Sequence, residues 1–125
     1  MTENDIGTIV VGAAICVHRE LGPGLLESVY ESAMTWELKE QGLMCKRQVS
    51  LPIMYRGHHI DEGFRADIIV EGKVILELKS VESVSAVHKK QVQTYLRLTG
   101  CKLGYVLNFG EAVMKSGIHR CVNGL

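Results

Sequence analysis

The sequence predicts an α/β fold with a mixed central sheet flanked by helices, and three observations carry that prediction. Apolar residues recur at helical spacing twice in the N-terminal third, with Gly22-Pro23-Gly24 between the two runs. Two β-branched and leucine-rich runs, Ile68 to Val70 and Val74 to Leu78, flank Glu71-Gly72-Lys73, which reads as a hairpin. A third helical stretch then separates this hairpin from another apolar strand, an order that builds layers of helix on sheet.

In the first helix the stripe is Ile6, Ile9, Val10, Ala13, Ala14, Val17 and Leu21, with Asn4 or Asp5 as the cap. It stops at Gly22-Pro23-Gly24, where glycine permits a left-handed turn and proline forbids continuation. A second helix follows from Leu25 to Gln41, its apolar stripe being Leu26, Val29, Tyr30, Ala33 and Leu38 and its terminator Gly42. Cys45, Val49, Leu51, Ile53 and Tyr55 alternate with polar residues and mark a strand, in which Pro52 signals a sheet edge or a bulge. Arg56-Gly57 turns the chain into a short piece around His58 to Ile60, ahead of the hairpin. A third helix spans Ser85 to Thr99 and closes at Gly100; Leu103 to Phe109 form an apolar strand, and Gly117 to Val122 a last short one.

At 125 residues the chain suits a single domain, residues 1–125, with one core. Lys plus Arg and Asp plus Glu both total 14, so no global positive field draws it to nucleic acid, and such binding has to come from a local patch. Cys16, Cys45, Cys101 and Cys121 are scattered, with no C-x-x-C pair, no signal peptide and no long apolar run; a reduced cytoplasmic protein, away from membranes, is expected. His58 and His59 are neighbours on a strand and point to opposite faces, so they do not readily share one ion.

The chemistry concentrates in Phe64-Arg-Ala-Asp67 through Glu77-Leu-Lys79, an apolar strand pair that carries an Asp, a Glu and a Lys. With a three-residue loop centred on Gly72, cross-strand partners sum to 144 and Asp67 faces Glu77. Opposed side chains have Cβ atoms roughly 5 Å apart, near enough for two carboxylates to grip one divalent cation. Lys79, two residues on, points to the same face. Oxygen donors of this kind favour Mg2+ or Mn2+ over zinc, and a lysine there can orient a metal-bound water or stabilise charge building on phosphorus. The plainer alternative is a cross-strand ion pair.

Two helices add to this site. Gly24-Leu-Leu-Glu27-Ser-Val-Tyr30 opens the second helix with Glu27 and Tyr30 on one surface; Glu27 either offers a third carboxylate or merely favours the helix dipole, and Tyr30 is equally at home in a core. In the third helix, Gln91 and Tyr95 are one turn apart and can both bind phosphate, while Lys90 and Arg97 form a modest basic stripe that can track a nucleic-acid backbone or simply face solvent.

These residues resemble the GxxExxY protein family, a branch of the PD-(D/E)XK nuclease superfamily. The likeness spans nearly the whole chain: Val17-His18-Arg19-Glu20-Leu21-Gly22-Pro23, then Gly24, Glu27 and Tyr30, then Phe64-Arg65-Ala66-Asp67, Glu77-Leu78-Lys79 and Asn108-Phe109-Gly110. The resemblance implies a restriction-endonuclease-like αβββαβ core. It makes Asp67 and Glu77 metal ligands, Glu27 an additional helix carboxylate, and Lys79 the residue at the nucleophilic water. Gln91 and Tyr95 look like the Q-x-x-x-Y element of the RecB-like branch, and with Tyr30 and Lys90 they are the substrate contacts expected. Ala66 stands where the superfamily has proline, which chelates nothing. No iron–sulfur cluster is expected. The implied activity is a Mg2+- or Mn2+-dependent nuclease, or nuclease subunit, acting on nucleic acid and foremost on DNA. The alternatives are a non-cleaving domain that binds nucleic acid or a partner, and a homo-oligomeric scaffold using Ile9, Val10 or the last strand.

Overall fold

The computed structural model describes residues 1–125, the side chain of Glu62 excepted. Two helices, α1 (Glu3–Leu21) and α2 (Glu27–Glu40), precede three strands, β1 (Cys45–Tyr55), β2 (His58–Val70) and β3 (Val74–Lys79). Then come α3 (Ala86–Thr99), β4 (Leu103–Asn108), the short α4 (Met114–Gly117) and β5 (Ile118–Val122). The strands form one five-stranded sheet in the order β1-β2-β3-β4-β5, antiparallel throughout except that β3 and β4 run parallel. That parallel pair is joined through α3, as parallel neighbours require a crossover. The predicted mixed α/β sheet is present, with the αβββαβ order of a restriction-endonuclease-like core.

Helices cover both faces. On one, α1 and α2 bury Ile6, Val10, Tyr30, Met34 and Leu38 against Ile68, Leu76 and Leu107; on the other, Val92 and Leu96 of α3 lie on Ile75 and Val106. Gly104 lets α3 approach closely, because a Cβ there would meet Val92 Cγ1 at 3.0 Å, the Ile75 carbonyl at 3.1 Å and Leu96 Cδ2 at 3.2 Å. Among the described residues, no helix is long and apolar enough to cross a membrane. The four cysteines are free thiols.

Several expectations need correction. The cap of α1 is Thr2, not Asn4 or Asp5: Asp5 N donates to Thr2 Oγ1 at 3.1 Å and Thr2 N to Asp5 Oδ2 at 2.9 Å, so Asp5 closes a capping box. On α2 the core face is Tyr30, Met34 and Leu38, whereas Leu26 is 75% exposed and Val29 and Trp36 are also exposed. Residues 26, 29, 33 and 36 repeat at helical spacing as well as 30, 34 and 38 do, so periodicity alone does not choose between them. Val10 is fully buried and so supplies no oligomer interface, while Ile9 is partly buried against the core. The piece at His58 to Ile60 and the first arm of the hairpin are one continuous strand, β2. Pro52 does mark both a sheet edge and a bulge: β1 is an edge strand, and its register with β2 shifts between Leu51 and Ile53.

Candidate active site

The hairpin has the register the sequence predicts. Val70 pairs with Val74, Ile69 with Ile75 and Ile68 with Leu76, and the loop between is Glu71-Gly72-Lys73. Asp67 and Glu77 come next, and there the backbone ladder gives way. The Leu78 amide donates instead to Asp67 Oδ2 at 2.8 Å, so a side-chain oxygen takes over as acceptor. Glu77 shares the face of Ile75 and therefore looks toward the α3 layer; Lys79, half-buried, follows on the same side. All three lie at the carboxyl end of β3, beside its parallel neighbour β4, where open α/β sheets commonly bind ligands.

Glu77 is only 8% exposed, and its buried Oε1 has no hydrogen-bond partner among the described residues. Burial, and then the neighbouring Asp67 charge, push its carboxyl up to about 8, against the opposing pull of the Asp67 amide and the Lys79 ammonium. Asp67 is raised as well, first by burial and further by the charge of Glu31, while the Leu78 amide and Gln48 act in the opposite direction. Two adjacent carboxyls that resist ionising, one with an orphaned oxygen, form a donor set that a divalent cation relieves. No cluster of three or more His, Cys, Asp or Glu side chains surrounds one point among the described residues. Two carboxylates suit an ion of the magnesium type, which takes the rest of its shell from water and phosphate.

Two carboxylates of α2, Glu27 and Glu31, border the strand ends that carry these residues. Glu27 is exposed and its Oε2 accepts the Ser80 amide at 3.2 Å, while Ser80 Oγ donates to the Leu25 carbonyl at 2.7 Å. Glu27 therefore stands beside the loop that leaves Lys79, tethering it. Glu31, one turn further along α2 and 7% exposed, faces Asp67 through Gln48: Gln48 Nε2 lies 2.5 Å from Glu31 Oε1 and 3.4 Å from Asp67 Oδ1. Arg47 pairs with Glu31 at 2.8 Å. Neither Glu31 nor Gln48 emerges from the sequence reading. Their one signal is positional, Gln48 falling opposite Asp67 and Glu31 one turn beyond Glu27.

Tyr30 is not at the surface. It is fully buried, its hydroxyl donates to the Gly22 carbonyl and accepts the Leu25 amide at 3.1 Å, and it pins the Gly22–Leu25 turn rather than reaching a substrate. Tyr95 does come to the site: burial, followed by the charges of Glu77 and Asp67, pushes its phenol up, and its ring stacks on Phe64 with centroids 3.6 Å apart. Gln91 and Lys90 are exposed on α3, Gln91 one turn before Tyr95. The Asn108-Phe109-Gly110 motif is a clasp. Asn108 is wholly buried; its Oδ1 accepts the amides of Val81 and Gly110 and its Nδ2 donates to the Val81 carbonyl, each at 3.0 Å. Any Cβ on Gly110 would lie 2.1 Å from the Val81 carbonyl oxygen, so only glycine fits. The loop after Lys79 is thereby held from two sides, by Glu27 and by Asn108.

A family model described as the PD-(D/E)XK nuclease superfamily matches residues 4–121. Comparison with curated proteins and with solved structures gives no significant match. The matched stretch runs from α1 into β5, omitting only Glu3 and Val122 of the elements, and includes Asp67, Glu77 and Lys79. The chain belongs to the PD-(D/E)XK nuclease superfamily.

Proposed function

We propose that this protein is a divalent-metal-dependent nuclease of the GxxExxY branch, hydrolysing phosphodiester bonds of nucleic acid, with DNA as the first substrate to test. The observation that carries the reading is Glu77: a buried carboxyl with an unpartnered oxygen beside Asp67, two residues before a lysine on the same face. Asp67 and Glu77 are the residues that would hold Mg2+ or Mn2+. When bound, such an ion supplies a Lewis acid for the phosphate and lowers the pKa of a water. Lys79 orients the attacking water and meets the charge that develops on the phosphoryl oxygens. Tyr95, which feels the charges of Glu77 and Asp67, and Gln91, one turn before it on α3, steady the phosphate, and Lys90 extends the contact along the backbone. Glu27 acts through Ser80, keeping the loop beyond Lys79 in place.

The test is cleavage of single-stranded, duplex and flapped DNA and of RNA with and without Mg2+ or Mn2+, run beside Asp67→Ala and Lys79→Ala. Metal-dependent cleavage lost in both variants supports the assignment. Cleavage that persists in both removes it.

A further inference from the structure

Gln48 occupies the position directly across from Asp67, between the pairs Arg47↔Ile68 and Val49↔Ala66. At this level both strands change face. Cys45, Ile68 and Val70 pack on the α1–α2 side, whereas Val49, Leu51, Phe64 and Ala66 pack on the α3 side, although residues two or four apart on a regular strand share a face. The switch coincides with a left-handed backbone at Gln48, φ 50°. Glycine adopts that conformation without penalty, and a glutamine does not. A strained residue of this kind invites the question of what its side chain does.

Its amide lies between two carboxylates, 2.5 Å from Glu31 Oε1 and 3.4 Å from Asp67 Oδ1. A side-chain amide has two N–H groups and can serve both acceptors. Glu31 is itself braced, since Arg47 Nε and Nη2 reach its Oε2 at 2.9 and 2.8 Å, and Arg47 Nη2 also donates to Ser32 Oγ at 3.1 Å. The second oxygen of Asp67 is occupied by the Leu78 amide. Both oxygens of Asp67 thus have a fixed direction, one set by the backbone of β3 and one by a chain of side chains anchored on α2.

We infer that Gln48 is a positioning residue: braced by Glu31 and Arg47, its amide sets the orientation in which Asp67 receives a divalent ion and keeps the Glu31 carboxylate engaged away from it. The inference rests on the metal-dependent reading above. Removing an outer partner of a metal ligand commonly weakens metal binding about 10- to 100-fold. The backbone conformation provides a way to separate that effect from folding.

The experiment is titration calorimetry of Mn2+ into the full chain, as wild type, Gln48→Gly, Gln48→Asn and Asp67→Ala, with a thermal melt of each. Glycine suits φ 50° and removes the amide; asparagine tolerates the same conformation but is one methylene too short to span both carboxylates. The expected result is Mn2+ binding weakened about tenfold or more in Gln48→Gly and Gln48→Asn, with both variants still folded and melting cooperatively, Gln48→Gly above Gln48→Asn because glycine relieves the backbone at φ 50°, and binding lost in Asp67→Ala. Wild-type Mn2+ affinity in both Gln48 variants overturns the inference and leaves the metal-dependent reading standing. Weaker binding in variants that have lost cooperative melting marks Gln48 as a strut of the fold and overturns it too. A wild-type chain that binds no Mn2+ overturns the inference and the reading together.

Discussion

The rings of Tyr30 and Phe109 lie face to face, centroids 4.5 Å apart and planes within 9°, so the residue that ends the Gly24-to-Tyr30 motif is packed on the centre of the Asn108-to-Gly110 motif. His18 flanks the same Phe109 ring and bonds the Glu111 carbonyl through Nε2 at 2.8 Å. Three stretches far apart in sequence meet in one buried stack. Their common product is the placement of the loop that follows Lys79.

Tyr30→Phe keeps the stack and deletes the hydroxyl that joins Gly22 to Leu25. It should cost about 1 kcal/mol, because the half-buried Gly22 carbonyl loses its donor and the Leu25 amide its acceptor. Tyr30→Ala should cost about 3–5 kcal/mol, in the range of large-to-small core changes. Urea unfolding of the two variants checks both the order and the size of the effects.

The metal-free protein should lose stability as pH rises from about 4.5 to about 8. Glu77 titrates near 4.5 in its ordinary state and near 8 in the fold. The folded chain therefore holds that proton more tightly than the unfolded one, and stability from the neutral carboxyl is complete below 4.5 and gone above about 8. Glu77→Gln should flatten this slope and raise the melting temperature at pH 8 by several degrees. Mg2+ or Mn2+ should stabilise wild type more at pH 8 than at pH 5.5, since only the ionised pair holds the ion. Thermal melts across the pH series, with and without metal, measure all three.

Gly110→Ala should open the clasp. Its new methyl would sit 2.1 Å from the Val81 carbonyl oxygen, which is part of the backbone and has no side-chain freedom with which to yield. A loss of about 2 kcal/mol or more is expected, and with it a fall in nuclease activity, as the segment from Ser80 to Val81 drifts from Glu27. Asn108→Ala removes three hydrogen bonds at the same place and should behave alike. If either variant unfolds in calorimetry at the wild-type temperature, the clasp does not carry this load.

Tyr95→Phe should leave folding intact, because the ring stacked on Phe64 is retained. The lost hydroxyl should raise KM for the nucleic acid several-fold while kcat changes less, as expected when a ground-state contact is removed. Steady-state kinetics on a fluorescent oligonucleotide distinguishes this from a loss in kcat alone.

The sequence is informative where local geometry determines the outcome. A three-residue loop around Gly72 sets the hairpin register and, through it, the meeting of Asp67 with Glu77. Gly100, with φ 76°, ends α3 where the sequence says it should. It is uninformative where two solutions share one pattern. Both sides of α2 carry apolar residues at helical spacing, so neither the exposure of Leu26 nor the burial of Glu31 can be read from periodicity. Asp61-Glu62-Gly63 resembles a turn and hides the continuity of β2. In the fold Gly63 is a close approach, since a Cβ there would meet Ile53 Cγ1 at 2.6 Å and the Leu51 carbonyl at 2.9 Å, across from the bulge at Pro52. Gln48 is invisible for a related reason. Its role depends on a left-handed residue in mid-strand, a conformation for which glutamine has no preference.

Gly104 bears on the site at Asp67 and Glu77 without touching it. By leaving out a methyl group beneath Val92 and Leu96, it lets α3 settle onto β4, and Tyr95 and Gln91 come down with the helix. The height at which α3 rides over the sheet is therefore set by a spacer of zero length, about 12 Å of helix from Gln91 to its last residues being lowered as one rigid beam. An added methyl here would push the beam upward and lift Tyr95, Gln91 and Lys90 together off the sheet, while Asp67 and Glu77 stayed on their strands.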